Sequence, residues 1–272
     1  GRERKRGALE ALNRLLLGLP GEDVFLYASK APESLAGRYA YVITLDSDTI
    51  LPPGSALRMI GAMQHPLQQR MEHQGNMRGV SILQPRMEVA THTVGSYLSL
   101  FLGGQGGSDP YNALSSDLMQ DLYGRGSFVG KGIIDPRNFL QGTEGKLIPG
   151  AILSHDLLEG EVTGCSVSSD ITLYDGQPAT FKGFLMRLHR WTRGDWQLLP
   201  YVFPYLPAQG RAPKAGLDAI AKHKIWQNLL RSLINPARLL LILCAVALRM
   251  PLLLLWALLA AELVPLFPMS MA

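Results

Sequence analysis

The chain has 272 residues, 47% hydrophobic and 18% charged, with a mean hydropathy of +0.10. That composition excludes a disordered or low-complexity chain and leaves room for one large or two modest domains. The formal net charge of +4 is too small a surplus to point to nucleic acid as a partner, and two cysteines, Cys165 and Cys244, make no disulfide framework, so a reducing, cytosol-facing body is the simpler reading.

The chain opens on the basic run Gly1 to Arg6 and closes within apolar sequence at Pro268 to Ala272, a pattern expected of a piece of a longer polypeptide. In chain order, Leu9, Leu12, Leu15 and Leu16 sit at helical spacing within 7–17. Tyr39 to Leu45 is a short β-rich apolar run that ends at acids. Helix followed by buried strand is an α/β signature. The pattern continues with a helix over Ser55 to Met63, a strand over Gly79 to Gln84 and a helix over Val94 to Leu102 that stops at Gly103-Gly104. Met119 to Phe128, Ala151 to Leu158 and Ser169 to Tyr174 prolong the mixed pattern.

The last fifty residues differ in kind. From Leu239 to Ala261 the sequence is apolar apart from Arg249, about the length needed to cross a ~30 Å hydrocarbon core. Pro251 is expected to kink or break that span. Ahead of it, Arg211 to Arg238 holds six Lys or Arg against one acid, Asp218, as in segments kept on the cytoplasmic side. Ile225, Trp226, Leu229, Leu230 and Leu233, interrupted by Lys and Arg, predict an amphipathic helix over 220–233 lying at a membrane surface, with membrane lipid as its partner. The expected division is a body over 1–218 and a membrane-associated segment over 219–272.

Four constellations carry chemistry. Thr44-Leu45-Asp46-Ser47-Asp48-Thr49 places two carboxylates two residues apart at the carboxyl end of an apolar strand, where open α/β sheets bind ligands and where hard oxygen ligands can hold a divalent cation against a diphosphate. Ser154-His155-Asp156-Leu157-Leu158-Glu159 offers an acid at the start of a helix; Asp156 fits a general base, with Glu159 in support. Arg187, Arg190, Trp191, Arg193 and Trp196 crowd within ten residues. Guanidinium groups suit phosphate, and an indole face suits a sugar ring. Tyr123 to Gly132 is glycine-rich and ends on Lys131, which could meet a phosphate or an acidic partner, although its spacing is not that of a P-loop.

Taken in order, Arg6-Gly7-Ala8-Leu9-Glu10-Ala11-Leu12-Asn13, Asp46-Ser47-Asp48, Ser154-His155-Asp156 and Arg187-Leu188-His189-Arg190-Trp191 resemble the processive, membrane-bound family-2-type glycosyltransferases of the GT-A fold. The Arg-Glu-Arg-Lys-Arg-Gly opening, Leu83-Gln84-Pro85-Arg86, Phe128 to Ile133, Ser154 to Gly160 and Arg187 to Gln197 narrow the likeness to the glycosyltransferase domain of cyclic β-1,2-glucan synthases. Ala8 stands where relatives commonly carry Lys.

That resemblance implies an α/β, GT-A-like (Rossmann-like) core that lacks its first strand, followed by a transmembrane segment. It also implies transfer of glucose from UDP-glucose, with Mg²⁺ or Mn²⁺ and inversion, to a growing β-1,2-glucan acceptor at the bacterial inner membrane, the catalytic body facing the cytoplasm. Asp46 and Asp48 would hold the metal and, with Arg187 and Arg190, the diphosphate; Asp156 would be the catalytic base; Trp191, Lys131 and Trp196 would meet the acceptor. Further domains of a larger parent chain are expected partners. The competing readings are a synthase of another β-linked polysaccharide, such as a cellulose-like chain, and a non-catalytic membrane-anchored fragment.

Overall fold

The computed structural model describes residues 4–20, 31, 34–66, 68, 71–73, 76–78, 80–90, 118–148, 150, 152, 156–203, 205, 215–252 and 255–256. The helix expected over Val94 to Leu102, residues 153–155 ahead of Asp156, and 257–261 at the end of the apolar run lie outside them.

Five described strands form one mixed sheet. In chain order they are β1 (Val42–Thr44), β2 (Thr49–Ile50), β5 (Ile82–Val89), β6 (Gly132–Ile134) and β7 (Cys165–Asp175), and the spatial order is β1-β6-β5-β7-β2. Only β5 and β7 run parallel; the other pairings are antiparallel. A separate antiparallel pair joins β3 (Met71–His73) to β4 (Asn76–Arg78).

The sheet owes its two cores to the two-residue period of a strand, which sends neighbouring side chains to opposite faces. Val42, Ile82 and Ile134 pack on one face with Leu9 of α1 (Arg4–Leu16), Phe128, Phe139 and Cys165. Their neighbours Ile43, Leu83 and Ile133 pack on the other with Met59 and Met63 of α2 (Ser55–Met63) and Ile171. A third cluster is helical. Leu158 and Val162 of one helix meet Leu198, Tyr201, Ile225 and Leu229 of three later segments.

The remaining helices are α3 (Leu118–Tyr123), α4 (Pro136–Thr143), α5 (Asp156–Thr163), α6 (Phe181–Gln197), α7 (Leu199–Val202) and α8 (Ala219–Ala247). Helix α2 has the predicted bounds, and α1 begins one turn earlier than its leucine spacing indicates. Strand β5 outruns its predicted end because the chain crosses Pro85 with a register shift between Pro85 and Arg86. Proline has no N–H to give a ladder, and a bulge absorbs that gap.

The largest departure is at the end of the chain. The amphipathic stretch and the first part of the apolar stretch are one 29-residue helix, α8, with Pro236 inside it. Ala221, Lys224, Ile225, Asn228 and Leu229 are buried at three- and four-residue spacing, so Ile225 and Leu229 face the protein core where a membrane surface was expected. Leu239, Leu240, Leu243 and Val246 are exposed further along. The helix closes before Pro251: the N–H of Met250 donates to Ala245 and that of Arg249 to Val246, with Arg249 in the left-handed region at φ 51°. This is a Schellman closure with arginine in the place usually held by glycine. Among the described residues, α8 is the one helix long and apolar enough to cross a membrane by length and composition.

Helix α4 shows how tightly local chemistry sets the elements beside the site. Asp135, directly after β6, accepts from the backbone N–H groups of Arg137 and Asn138 at 2.9 and 3.1 Å, and Pro136 follows at the first helical position. Asp135→Ala should lower the stability of the chain by about 1 kcal/mol, read as a lower denaturant midpoint; an unchanged midpoint would contradict the cap.

Candidate active site

Residues 45–48 carry the chain from β1, at one edge of the sheet, to β2, at the other. This short crossing lays both of its acids over the ends of the strands between. Thr44 anchors its start, the hydroxyl donating toward the carbonyls of Gly130 and Gly132 at 3.3 and 3.4 Å. A turn follows in which the N–H of Thr49 donates to Asp46 O at 3.1 Å and the Thr49 hydroxyl accepts from Asp46 N at 3.3 Å.

Two lysines converge on Asp46. Lys5 of α1 donates to Asp46 Oδ1 at 2.6 Å and to the carbonyl of Gly130, also at 2.6 Å. Lys131 lies 3.4 Å from Asp46 Oδ2 and hydrogen-bonds Asp175 at the end of β7. Asp175 in turn accepts from the Thr49 hydroxyl at 2.7 Å. The result is an alternating chain of charge, Lys5, Asp46, Lys131 and Asp175, stretched across the strand ends. Lys131 is 7% exposed, and a lysine so placed needs both carboxylates to hold its charge.

Asp48 points elsewhere. Its Oδ2 is 3.6 Å from Arg187 of α6 and its carboxyl is 46% exposed. The Arg187 guanidinium also donates to Gly176 O at 3.4 Å and lies 5.3 Å from the Trp191 ring centroid. Arg187 and Trp191 are one helical turn apart, so they share a face of α6. That face meets the acidic crossing.

Asp156, the first residue of α5, reaches the same cluster from a third side. A Cβ built on Gly130 would stand 2.8 Å from Asp156 Oδ2, so the carboxylate lies directly against this backbone. Gly130 is also at φ +86°, where a side chain is strained. Glycine is required twice over at the one residue whose carbonyl takes Lys5. The loop is held in turn by Gln84, which is fully buried and accepts from Val129 N at 3.0 Å.

The structure therefore brings together Asp46, Asp48, Lys131, Asp156, Arg187 and Trp191. It does not bring in Trp196, whose indole N–H donates to Ser232 of α8 at 3.0 Å; nine residues from Arg187, it falls on the opposite side of α6. Arg190 is exposed on α6 and pairs with none of the described residues. Lys131, expected against the acceptor, is committed to Asp46 and Asp175. Asp46, expected as a metal ligand, has both oxygens facing ammonium groups, and among the described residues no group of three or more His, Cys, Asp or Glu could hold a metal ion.

Two members went unassigned in the sequence. Lys5 shares the stripe of Leu9, Asn13 and Leu16, all buried, so helical spacing would have directed it inward. Asp175, like Asp46, closes an apolar strand, and a strand-end acid is the signal that would have found it.

No family model matches the chain. It is 39% identical over 243 residues to cyclic β-(1,2)-glucan synthase NdvB of Rhizobium meliloti (strain 1021), an alignment that covers 87% of this chain and 8% of that protein.

Burial pushes the Asp46 carboxyl up, but the Lys5 hydrogen bond and the Lys131 charge outweigh it and hold the group below its usual value. A depressed carboxyl contributes stability that is complete above its unfolded value and is lost as pH falls through the folded one. Stability should thus decline as pH drops below about 4, and Asp46→Asn should flatten that decline. Parallel denaturation midpoints for the two proteins between neutral and acid pH would contradict the pairing.

Proposed function

Starting from a chain that is a homologue of a segment of a cyclic β-(1,2)-glucan synthase, we propose that it is the sugar-transferring part of such an enzyme. In this reading it is a GT-A-type core that moves glucose from UDP-glucose, with inversion, to a β-glucan acceptor at the inner membrane, its body on the cytoplasmic side. The matched synthase is far longer than this chain, so the activity belongs to the whole polypeptide. The observation that carries the reading is the packing of the Asp156 carboxylate on Gly130, beside a cluster of paired acids and cations.

Each group has a chemical part in this reading. Asp156 takes the proton of the acceptor hydroxyl as its oxygen attacks the anomeric carbon from the face opposite UDP. The bond to the UDP oxygen breaks, and the charge that grows on the diphosphate is met by Arg187 and by the fixed ammonium groups of Lys5 and Lys131. Trp191, braced by Arg187, offers a ring face to a sugar. Arg190, exposed one residue earlier, is free to reach the diphosphate.

The formal charges favour an added cation. Lys5, Lys131 and Arg187 pair with Asp46, Asp48 and Asp175, and Asp156 adds a fourth acid against Gly130, so a diphosphate enters a site with no cationic surplus of its own. Asp48, with its exposed carboxyl, fits Mg²⁺ or Mn²⁺, which is commonly held by one or two carboxylates together with substrate phosphates. Such an ion would neutralise the leaving diphosphate. Asp46 fits a different task, fixing Lys5 and Lys131 in place.

Helix α8 supports the membrane assignment through its exposed apolar second half. The basic residues in its first part, Lys222, Arg231 and Arg238, support a cytoplasmic body.

The test is kinetic. In the full-length synthase, Asp156→Asn should bind UDP-glucose near-normally yet extend glucan on the order of 10²-fold more slowly. Glu159→Gln, on the same helix, should retain more activity. Normal turnover by Asp156→Asn would remove the base from the mechanism.

A further inference from the structure

Lys224 is fully buried in α8, far along the chain from the acid-cation cluster, and the mechanism above does not use it. Its ammonium donates to the carbonyls of Arg125 and Gly126, both at 3.1 Å, and to Glu161 Oε1 at 2.7 Å. Glu161 is as deeply placed, its side chain 2% exposed. Around this pair Arg125 reaches Asp218 at 2.6 Å and Glu161 at 3.9 Å, and Asp218 caps α8 through Ala221 N at 3.0 Å. Removing a lysine and a glutamate from water is costly unless their hydrogen bonds are met.

The partners of Lys224 lie on the two walls of the site. Arg125 and Gly126 open the glycine-rich loop that runs to Gly130 and Lys131. Glu161 stands on α5, which begins at Asp156. The partners of Lys224 thus stand five residues from the site on each wall, Gly126 from Lys131 and Glu161 from Asp156. Between these points the walls touch closely: a Cβ on Gly160 of α5 would meet Phe128 Cβ of the loop at 2.8 Å and Phe128 N at 3.2 Å. Because the Gly160 backbone lies against the root of Phe128, with no flexible side-chain end between them, a shift of either wall at its root is transmitted to the gap between Gly130 and Asp156 rather than absorbed by side chains.

We infer that Lys224 is a positioning residue: from the root of the apolar helix its ammonium clips the glycine-rich loop to α5 and sets where the Asp156 carboxylate stands relative to Lys131 and Asp46. The inference rests on the proposed transfer reaction for its kinetic consequence and on the geometry alone for its structural one. Since α8 continues into the exposed apolar run, the clip also ties the geometry of the site to the seating of that helix.

Burial pushes the Glu161 carboxyl up in spite of Lys224 and Arg125, so a protein lacking Lys224 can protonate Glu161 in place of burying a bare charge. Lys224→Met in the full-length synthase, and the neutral pair Lys224→Met/Glu161→Gln, are therefore the variants to make. Both should bind UDP within about twofold of the parent protein, while glucose transfer from UDP-glucose falls about 10-fold or more in kcat with donor KM little changed, the signature of a displaced reacting group. Hydrogen exchange should rise in 124–131 and in 156–161 and stay unchanged in α1 and α4.

Parental kcat in a folded variant would overturn the inference. So would unfolding of both variants, or an equal loss in kcat and donor affinity without local exchange, since either would make Lys224 a post for the whole fold. If the parent protein itself transferred no glucose, the proposed reaction would fail. The exchange pattern would still decide whether Lys224 holds the two walls.

Discussion

The structure turns on a lysine placed between two carboxylates. Lys131 stands at the start of β6 with almost no exposure, and its charge is tolerable only because Asp46 and Asp175 arrive from other strands to meet it. That requirement joins the end of β1, the start of β6 and the end of β7, and through Thr49 it fixes the start of β2 as well. The acidic crossing between β1 and β2 is therefore shaped by charge as much as by strand pairing. Asp48 is left facing outward toward Arg187 because Asp46 has been turned inward toward the lysines.

Glycine does the complementary work. The loop before β6 can lie flush on α5 only where Cβ atoms are missing, at Gly130 against Asp156 and at Gly160 against Phe128. An acid at the first turn of a helix is common enough to carry little meaning. One pressed against the same glycine whose carbonyl receives Lys5 belongs to a built site. Local backbone economy and the electrostatics of the cluster are in this sense one arrangement, with Lys224 closing it from behind.

Much of this was legible in the residues. The apolar run before Asp46 predicted β1 with acids at its end, the leucine stripe predicted α1, and Ser55 to Met63 gave α2 because its apolar residues keep helical spacing across Gly61. Arg187 and Trp191, four apart, were readable as one face. What was not legible depended on contacts between distant segments. Helical spacing sets Trp196 on the side of α6 opposite Arg187 and Trp191, but its partner there, Ser232 of α8, comes from a distant segment. The sequence offered Lys131 a phosphate or an acidic partner, but which acids close around it, Asp46 and Asp175, depends on two strand ends far along the chain. The continuity of α8 through Pro236 is likewise a tertiary effect, since Ile225 and Leu229 are held by the core cluster of α5 and α7 and support the helix ahead of the proline.

On the proposed reading, the crossing between β1 and β2 is a donor site in which Asp48 works with a divalent ion while Asp46 works with lysines. Calorimetric titration of UDP into the full-length protein, with and without Mn²⁺, tests it most directly when the parent is compared with Asp48→Asn. Mn²⁺ should strengthen UDP binding by the parent protein, and Asp48→Asn should abolish this enhancement while leaving the fold intact. Equal UDP affinity with and without Mn²⁺ in the parent, or an undiminished enhancement in Asp48→Asn, would contradict it.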